Sequence, residues 1–199
     1  MDGIAWAASA MVAARTRLDI ATENLSNVSS DGFVRGAARG FLTPIGVAIA
    51  REPAPRHGEL RRTGRDLDLA MIGDGAFRVC DAAGRIASTR AGAFVRAADG
   101  TLRDAAGRAL LGLHGPIRLP DDGRIDPDGR VVVAGRIVDA LPLAPGARVQ
   151  RGFLEGAGVD SIAEMIDILA AERSFESAQK VVTAIDLSRQ KAAEAAHIT

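Results

Sequence analysis

The sequence predicts an α+β protein in which helices at the two ends pair as a coiled coil and carry an inserted antiparallel all-β domain. Three observations lead there: the placement of glycine and proline, the heptad spacing of apolar residues at both ends, and a series of short alternating segments divided by turn pairs. Apart from Gly3, all 22 glycines and all 8 prolines lie between Gly32 and Gly158. Both residue types penalise helix interiors and serve turns, so the ends read as long helices and the middle as strands and turns.

The first helix is expected over residues 1–32. Ile4, Met11, Leu18 and Leu25 recur every seven residues, with Ala7, Ala14 and Ala21 three positions after the first three. This 3-4 alternation marks a heptad seam. Alanine at every second seam position lets a partner helix approach closely, while Arg15, Asp19 and Glu23 form a polar row at i, i+4 spacing elsewhere on the surface. Gly32 reads as the left-handed cap that ends the helix. Residues 33–58, with Pro44, Pro53 and Pro55, read as a connecting arm of poor regularity.

Residues 59–155 read as the β domain. Alternating segments stand at residues 67–69, 77–80, 85–89, 94–96, 117–119, 131–133 and 136–138, separated by the turn pairs Asp74-Gly75, Ala83-Gly84, Asp99-Gly100, Ala106-Gly107, Asp122-Gly123 and Asp128-Gly129. Such spacing is that of consecutive hairpins. The second helical segment is expected over residues 156–199. Ser161-Ile162-Ala163-Glu164 has the pattern of a capping box, hydroxyl and carboxylate answering each other's backbone N–H groups. Downstream, Ile168, Ala171, Phe175, Ala178, Val182, Ile185 and Ala192 keep an apolar stripe that Arg189 interrupts.

The charge balance, 25 Lys+Arg against 25 Asp+Glu, argues against a broadly basic nucleic-acid binder and against an acidic disordered tail. Hydrophobic residues are 47% of the chain, but aromatics are 4% and tyrosine is absent. With 38 alanines, packing should rely on closely approaching backbones. The single cysteine, Cys80, cannot form an intramolecular disulfide, and His57, His114 and His197 lack ligand spacing for a metal. The apolar run at residues 4–14 is preceded by Asp2 and by no Lys or Arg, so it does not read as a cleaved signal. No stretch approaches the roughly 20 apolar residues that span a bilayer.

Each candidate for chemistry has a plainer reading. Asp126-Pro127-Asp128-Gly129, near Asp121 and Asp122, lacks the alternating ligands and distal glutamate of a calcium loop and reads as a turn. Gly73-Asp74-Gly75 is half of a phosphate-cradling pattern without its third glycine or following helix, and reads as a tight hairpin. Arg61, Arg62 and Arg65 near Asp66 and Asp68 read as a partly self-neutralised loop. Cys80 has no neighbouring histidine to activate it and reads as a small buried hydrophobe. No catalytic, cofactor-binding or metal residues are assigned.

The heptad ends are the unusual feature. Two helices with alanine-rich seams cannot bury all their apolar surface between themselves, so Ile4, Met11, Leu18, Leu25, Ile168, Phe175, Val182 and Ile185 are candidate seam residues for assembly. Repeated heterologous contacts of this kind build a helical tube.

The same stretches carry a family resemblance. Asn24-Leu25-Ser26-Asn27-Val28-Ser29-Ser30-Asp31-Gly32-Phe33 resembles the signature of bacterial flagellar rod and hook proteins, with Asn24, Leu25, Asn27, Gly32 and Phe33 at its motif positions. Residues 58–70, Gly73-Asp74-Gly75-Ala76-Phe77 and Thr89-Arg90-Ala91-Gly92-Ala93-Phe94 are similar to the central signature of the group with an inserted β domain. Residues 154–160 and 172–176 resemble its C-terminal block. Glu23 stands where asparagine is common, Ser30-Asp31 where threonine is usual, and Ala157-Gly158 where Ser-Asn is usual.

The resemblance implies an axial structural protein without a catalytic role, of the proximal rod type, with a distal rod or hook-type protein as the alternative. It implies export through the flagellum's own type III apparatus without a cleaved signal, and assembly with copies of itself and with other axial proteins into the torque-transmitting rod across the periplasm. No cofactor, nucleic acid or small-molecule substrate enters that picture. The competing class is a soluble β-domain binding module with the helices as a dimerisation stalk.

Overall fold

The computed structural model describes residues 3–54 and 56–196; Met1, Asp2, Pro55 and His197 fall outside the described residues. The chain divides into two compact units: Met1–Val28, Arg35–Pro55 and Val159–Thr199 form one, Ser29–Val34 and Arg56–Gly158 the other.

The first unit holds helix α1 (Gly3–Ser26), a hairpin of β1 (Gly36–Thr43) and β2 (Gly46–Pro53), and helix α2 (Ser161–Ala196). The two helices pack against each other in opposite directions. Asn24, late in α1, meets Glu164 at the start of α2, while Gly3 lies against Ile185. A second face of α1 carries the hairpin. The buried residues of α1 are Ala7, Ala13, Ala14, Ile20, Ala21 and Asn24, so close backbone approach does much of the packing.

Three expectations are corrected here. Helix α1 stops at Ser26 and not at Gly32. Ser26 Oγ and Asn27 Nδ2 both donate to the Glu23 carbonyl, at 2.8 and 2.9 Å, and such local side-chain bonds compete with continuation of the helix. Gly32 does have a positive φ of 68°, but it belongs to the second unit, where its N–H donates to the Glu155 carbonyl at 2.7 Å. A Cβ there would lie 2.1 Å from the Ala91 nitrogen, so space as well as handedness demands glycine. Asparagine would fare no better than valine.

The expected irregular arm is mostly a regular hairpin: β1 and β2 pair in full register from Gly36↔Pro53 to Thr43↔Gly46. Pro44 and Ile45 form its two-residue loop, and Gly46 (φ 144°) seats the loop on α1 where a Cβ would strike Ser9 Oγ at 1.8 Å. The cap of α2 is Asp160, one residue earlier than expected. Its Oδ1 accepts from the N–H groups of Ile162 and Ala163 at 3.0 and 3.2 Å, which leaves the Glu164 carboxylate free for another task.

The second unit is all antiparallel: β3 (Leu60–Arg62), β4 (Leu69–Ile72), β5 (Phe77–Cys80), β6 (Ile86–Thr89), β7 (Val95–Arg96), β8 (Leu102–Arg103), β9 (Ala109–Leu110), β10 (Arg124–Ile125), β11 (Arg130–Val133), β12 (Arg136–Ala140), β13 (Arg148–Arg151) and β14 (Phe153–Glu155). Its largest sheet runs β6-β5-β9-β8-β7 and its three-stranded sheet β10-β11-β12; β13 pairs with β4 and β14 with β3. The expected strand at residues 117–119 is reduced to an isolated bridge at Arg118, with its flanks Ile117 and Leu119 buried. One cluster unites Leu69, Met71, Phe77, Val79, Phe94, Leu102, Leu110, Ile117, Leu119, Ile125, Val131, Leu141 and Val149. Phe77 and Phe94 meet edge to face with centroids 5.6 Å apart, a favoured aromatic geometry.

Four tight loops share one construction. At residues 81–85, 97–101, 104–108 and 126–130 the first N–H donates to the last carbonyl, and the glycine N–H donates back to the first carbonyl. Gly84, Gly100, Gly107 and Gly129 all have φ near 80°, the left-handed position that three-residue hairpin loops require. The Asp126-Pro127-Asp128-Gly129 segment is thus accounted for as a turn.

Candidate functional site

Each unit is fastened by a buried polar clasp. In the first unit, the Asn24 side chain acts as a strand partner: Oδ1 accepts from Gly36 N–H at 2.9 Å and Nδ2 donates to the Gly36 carbonyl at 2.8 Å. Gly36 and Pro53 form a non-hydrogen-bonded pair of the hairpin, the next pair being bonded from Ala54 N–H to the Arg35 carbonyl at 2.8 Å, so both polar groups of Gly36 face away from β2 and the amide of Asn24 meets them. Nδ2 also donates to Glu164 Oε2 at 3.0 Å. Glu164 is 1% exposed, and its other oxygen accepts from Arg35 Nε. Arg35 reaches on to Asp167 at 3.5 Å. Residues 24, 35–36 and 164 thereby lock α1, the hairpin and α2 together, and every buried charge in the set has an opposite charge or a donor beside it, as burial demands.

In the second unit, Arg90 and Glu155 are both nearly buried. Arg90 Nε donates to Glu155 Oε2 at 2.7 Å; its terminal nitrogens donate to the carbonyls of Met71 (2.9 Å), Gly75 (2.6 Å) and Gly73 (3.2 Å). The Gly73-Asp74-Gly75 segment closes no hairpin, contrary to expectation, since β4 pairs with β13 and β5 with β6 and β9; it presents carbonyl oxygens to a guanidinium inside its own unit, the reverse of a phosphate cradle. Glu155 Oε1 accepts from Gly58 N–H at 3.3 Å and faces His57 Nδ1 at 3.5 Å. Arg61 pairs with Asp31 at 3.0 Å and Arg65 lies 3.8 Å from Asp68. Cys80 is half-buried at the end of β5.

Of the sequence-assigned seam residues, Ile4, Met11, Leu18, Leu25, Ile168, Phe175, Val182 and Ile185 are all half-buried. Leu18 and Phe175 border one groove beside the helix pair, with Ala14 and Ala171 in its floor and Arg15, Glu172 and Glu176 at its rim. Among the motif residues, Asn24 is buried in the first clasp and Gly32 in the second unit, while Leu25, Asn27 and Phe33 are half-buried.

Sequence reasoning missed Arg35, Glu164, Arg90 and Glu155 as clasp residues. Arg90 and Glu155 stood inside quoted motifs, yet their pairing spans 65 positions and has no local signal. It anticipated apolar surface left over from the helix pair but not the residues that form it: Val12, Ile162, Met165, Ile166, Leu169, Val181 and Leu187 on the helices and Phe41, Leu42 and Ile45 at the hairpin end are all at least half exposed. A helix apolar on two faces, as at residues 162–171, was the available signal.

Two family models match the chain. One, described as the flagellar hook protein FlgE/F/G D1 domain, matches residues 70–133, and the other, the flagellar basal body rod FlgEFG protein C-terminal region, matches residues 150–195. Together they take in more than half of the chain. The flagellar basal-body rod protein FlgG of Agrobacterium fabrum is 26% identical over 94% of this chain and 96% of its own length. The corresponding figures for the rod protein FlgF of Rhizobium meliloti are 27%, 96% and 96%, and for FlgF of Escherichia coli 28%, 84% and 87%.

Proposed function

The chain belongs to the flagellar basal-body rod and hook protein family, and we propose that it is a structural rod subunit of the proximal type, polymerising into the axial tube that carries torque to the hook. The observation that carries this reading is the first unit, whose helices pair through small residues and leave large apolar side chains on the outside. Exposed apolar surface on that scale marks an interaction site, and a helical unit repeated around an axis covers it. In this reading the helices pair as a coiled coil, with Ile4, Met11, Leu18, Leu25, Ile168, Phe175, Val182 and Ile185 as its seam. The partners are copies of the chain, other axial proteins of the flagellum, and the flagellar export apparatus that delivers it. The role is mechanical, not catalytic, and the distal rod is the alternative position.

Deletion of the gene tests the reading: basal bodies should stop within the rod, short of the hook. Leu18→Asp and Ile185→Asp place a charge on the seam, where burial costs more than the roughly 1.5–3 kcal/mol a Leu or Ile gains. Each should abolish swimming while the second unit keeps its fold. Complete hooks in the deletion strain, or normal swimming by both variants, would refute the reading.

A further inference from the structure

Two apolar patches on the first unit lie at different levels of the same body. At the hairpin end, Phe41, Leu42 and Ile45 are 50%, 79% and 71% exposed, and residues 40–50 carry no charged side chain. On α2, Ile162, Met165, Ile166 and Leu169 are all more than half exposed. Their i, i+3, i+4, i+7 spacing places them in one stripe along the first two turns, on the side of α2 opposite the buried Ala171 and Ala178.

The contacts with α1 fix where each patch sits. The hairpin end is seated at Ser9, whose Oγ accepts from Val47 N–H at 3.1 Å. The start of α2 is seated at Asn24 through Glu164. From Ser9 to Asn24 the helix rises about 22 Å, so one copy cannot cover its own stripe with its own hairpin end.

We propose that the hairpin end of one copy docks on the α2 stripe of the next copy. The contact rests on the rod-subunit reading and supplies it with a direction: joining two different patches is heterologous, so each added copy leaves one free hairpin end and one free stripe, and the polymer stays open. The occupant is a second copy and not a lipid surface. Residues 40–50 carry none of the Lys and Arg that draw a peripheral segment to anionic headgroups, and Arg173, in line with the stripe, is matched by Glu172 and Glu176 on the same side of α2, so no net positive charge attracts such lipids.

The test uses the full chain with the photoreactive p-benzoylphenylalanine in place of Leu42, irradiated under conditions where sedimentation shows polymer, the joined peptides being read by mass spectrometry. The label should attach within residues 162–169 of another copy, and Ile166→Asp should lower the yield at least tenfold. In a second arm, Leu42→Asp and Ile166→Asp proteins should each remain monomeric, and an equimolar mixture should stop at the dimer, since a single intact contact then remains. Both sites are on the surface, so unchanged helical circular dichroism certifies the fold; Leu42→Ser serves if Leu42→Asp loses it. A polymer whose label lands elsewhere, or single variants that polymerise like the parent chain, overturns the contact and leaves the rod reading standing. A parent chain that stays monomeric and unlabelled at every concentration overturns both.

Discussion

The two units bury different things. The β unit buries Phe77, Phe94, Leu69, Met71, Leu102 and Leu110 almost completely, each contributing about 1.5–3 kcal/mol. The helical unit buries mostly alanines, Ile20 and two polar side chains, and keeps Ile162, Met165, Ile166 and Leu169 outside. Alanine has little surface to remove from water, and helices draw most of their stability from packing an apolar face. The β unit is therefore complete within one copy, whereas the helical unit has a fastening but only a thin core, and leaves apolar surface that the proposed assembly would cover.

The sharpest break of this contrast is Arg90→Met. It leaves the buried Glu155 carboxylate without its cation and strips the donor from the Met71 and Gly75 carbonyls. Removing one member of a buried pair costs about 3–5 kcal/mol. Amides of residues 69–71 and 77–79 should lose protection against hydrogen exchange by that amount. The fluorescence of Trp6, the single tryptophan and a residue of α1, should unfold in urea at an unchanged midpoint. Adding Glu155→Leu should recover part of the loss. A shift of the Trp6 transition equal to that of the β amides would show that the units do not melt separately.

Asn24→Ala makes the complementary cut. It removes both partners of buried Gly36 and one from Glu164, and each buried polar group left unsatisfied costs about 1–3 kcal/mol. The Trp6 transition should move down by roughly 2–3 kcal/mol on that scale, with the β amides unaffected. Asn24→Asp should fail as well, because an ionised carboxylate cannot donate to the Gly36 carbonyl and would face Glu164.

These two clasps show where the sequence was legible and where it was not. The terminal helices and the hairpin-built middle follow from local facts: heptad spacing on one side, Gly-containing turn pairs on the other. The hairpin of β1 and β2 was hidden because Gly36, Gly40, Pro44 and Gly46 read as breakers, while its alanines give no alternation of hydrophobicity. The α2 cap was misassigned because Asp160 and Ser161 are both good capping residues. What decides between them is Arg35, which draws Glu164 into the interior from 129 positions away. A repeat in the sequence was also passed over: Asp-x-x-Gly-Arg stands at 81–85, 104–108 and 126–130, each time as one of the tight loops. The polar clasps join residues 65 and 140 positions apart, and no local pattern encodes a pairing of that length.

The parent protein should display the contrast without mutation. In dilute monomer, hydrogen exchange along α1 and α2 should run at least tenfold faster than along β4 and β5, a difference of about 1.4 kcal/mol in opening free energy. Under polymerising conditions the helices should gain protection and the β unit should not. Equal protection in the monomer would mean that the helical unit needs no neighbours.

The smallest effect concerns acid and belongs to the β unit. Asp81 Oδ1 accepts from the N–H groups of Ala83 and Arg85, both at 2.9 Å, and Oδ2 meets Arg85 Nε at 2.7 Å; Asp104 repeats the geometry with Ala106 and Arg108. The backbone hydrogen bond from Arg85, ahead of the guanidinium and the Ala83 N–H, holds the Asp81 carboxyl below the ordinary aspartate value of 3.8. A carboxyl whose folded value is depressed adds stability that is present above its unfolded value and disappears as pH falls through the folded one. The loop at 81–85 should thus keep its shape down to the ordinary aspartate range and loosen only below it. Because the carboxylate faces water, the change should stay local and leave the Phe77–Phe94 core in place. Asp81→Asn keeps an acceptor for the two N–H groups but has no charge to lose, so the exchange of Ala83 and Arg85 should become independent of acid beyond the intrinsic chemistry of the amide. Carboxyl resonances followed by NMR, together with those two amides, measure both halves. An Asp81 inflection at or above the ordinary value, or an Asp81→Asn loop that loosens in acid like the parent, would mean that the loop's shape rests on its glycine and backbone ladder and that the carboxylate follows passively.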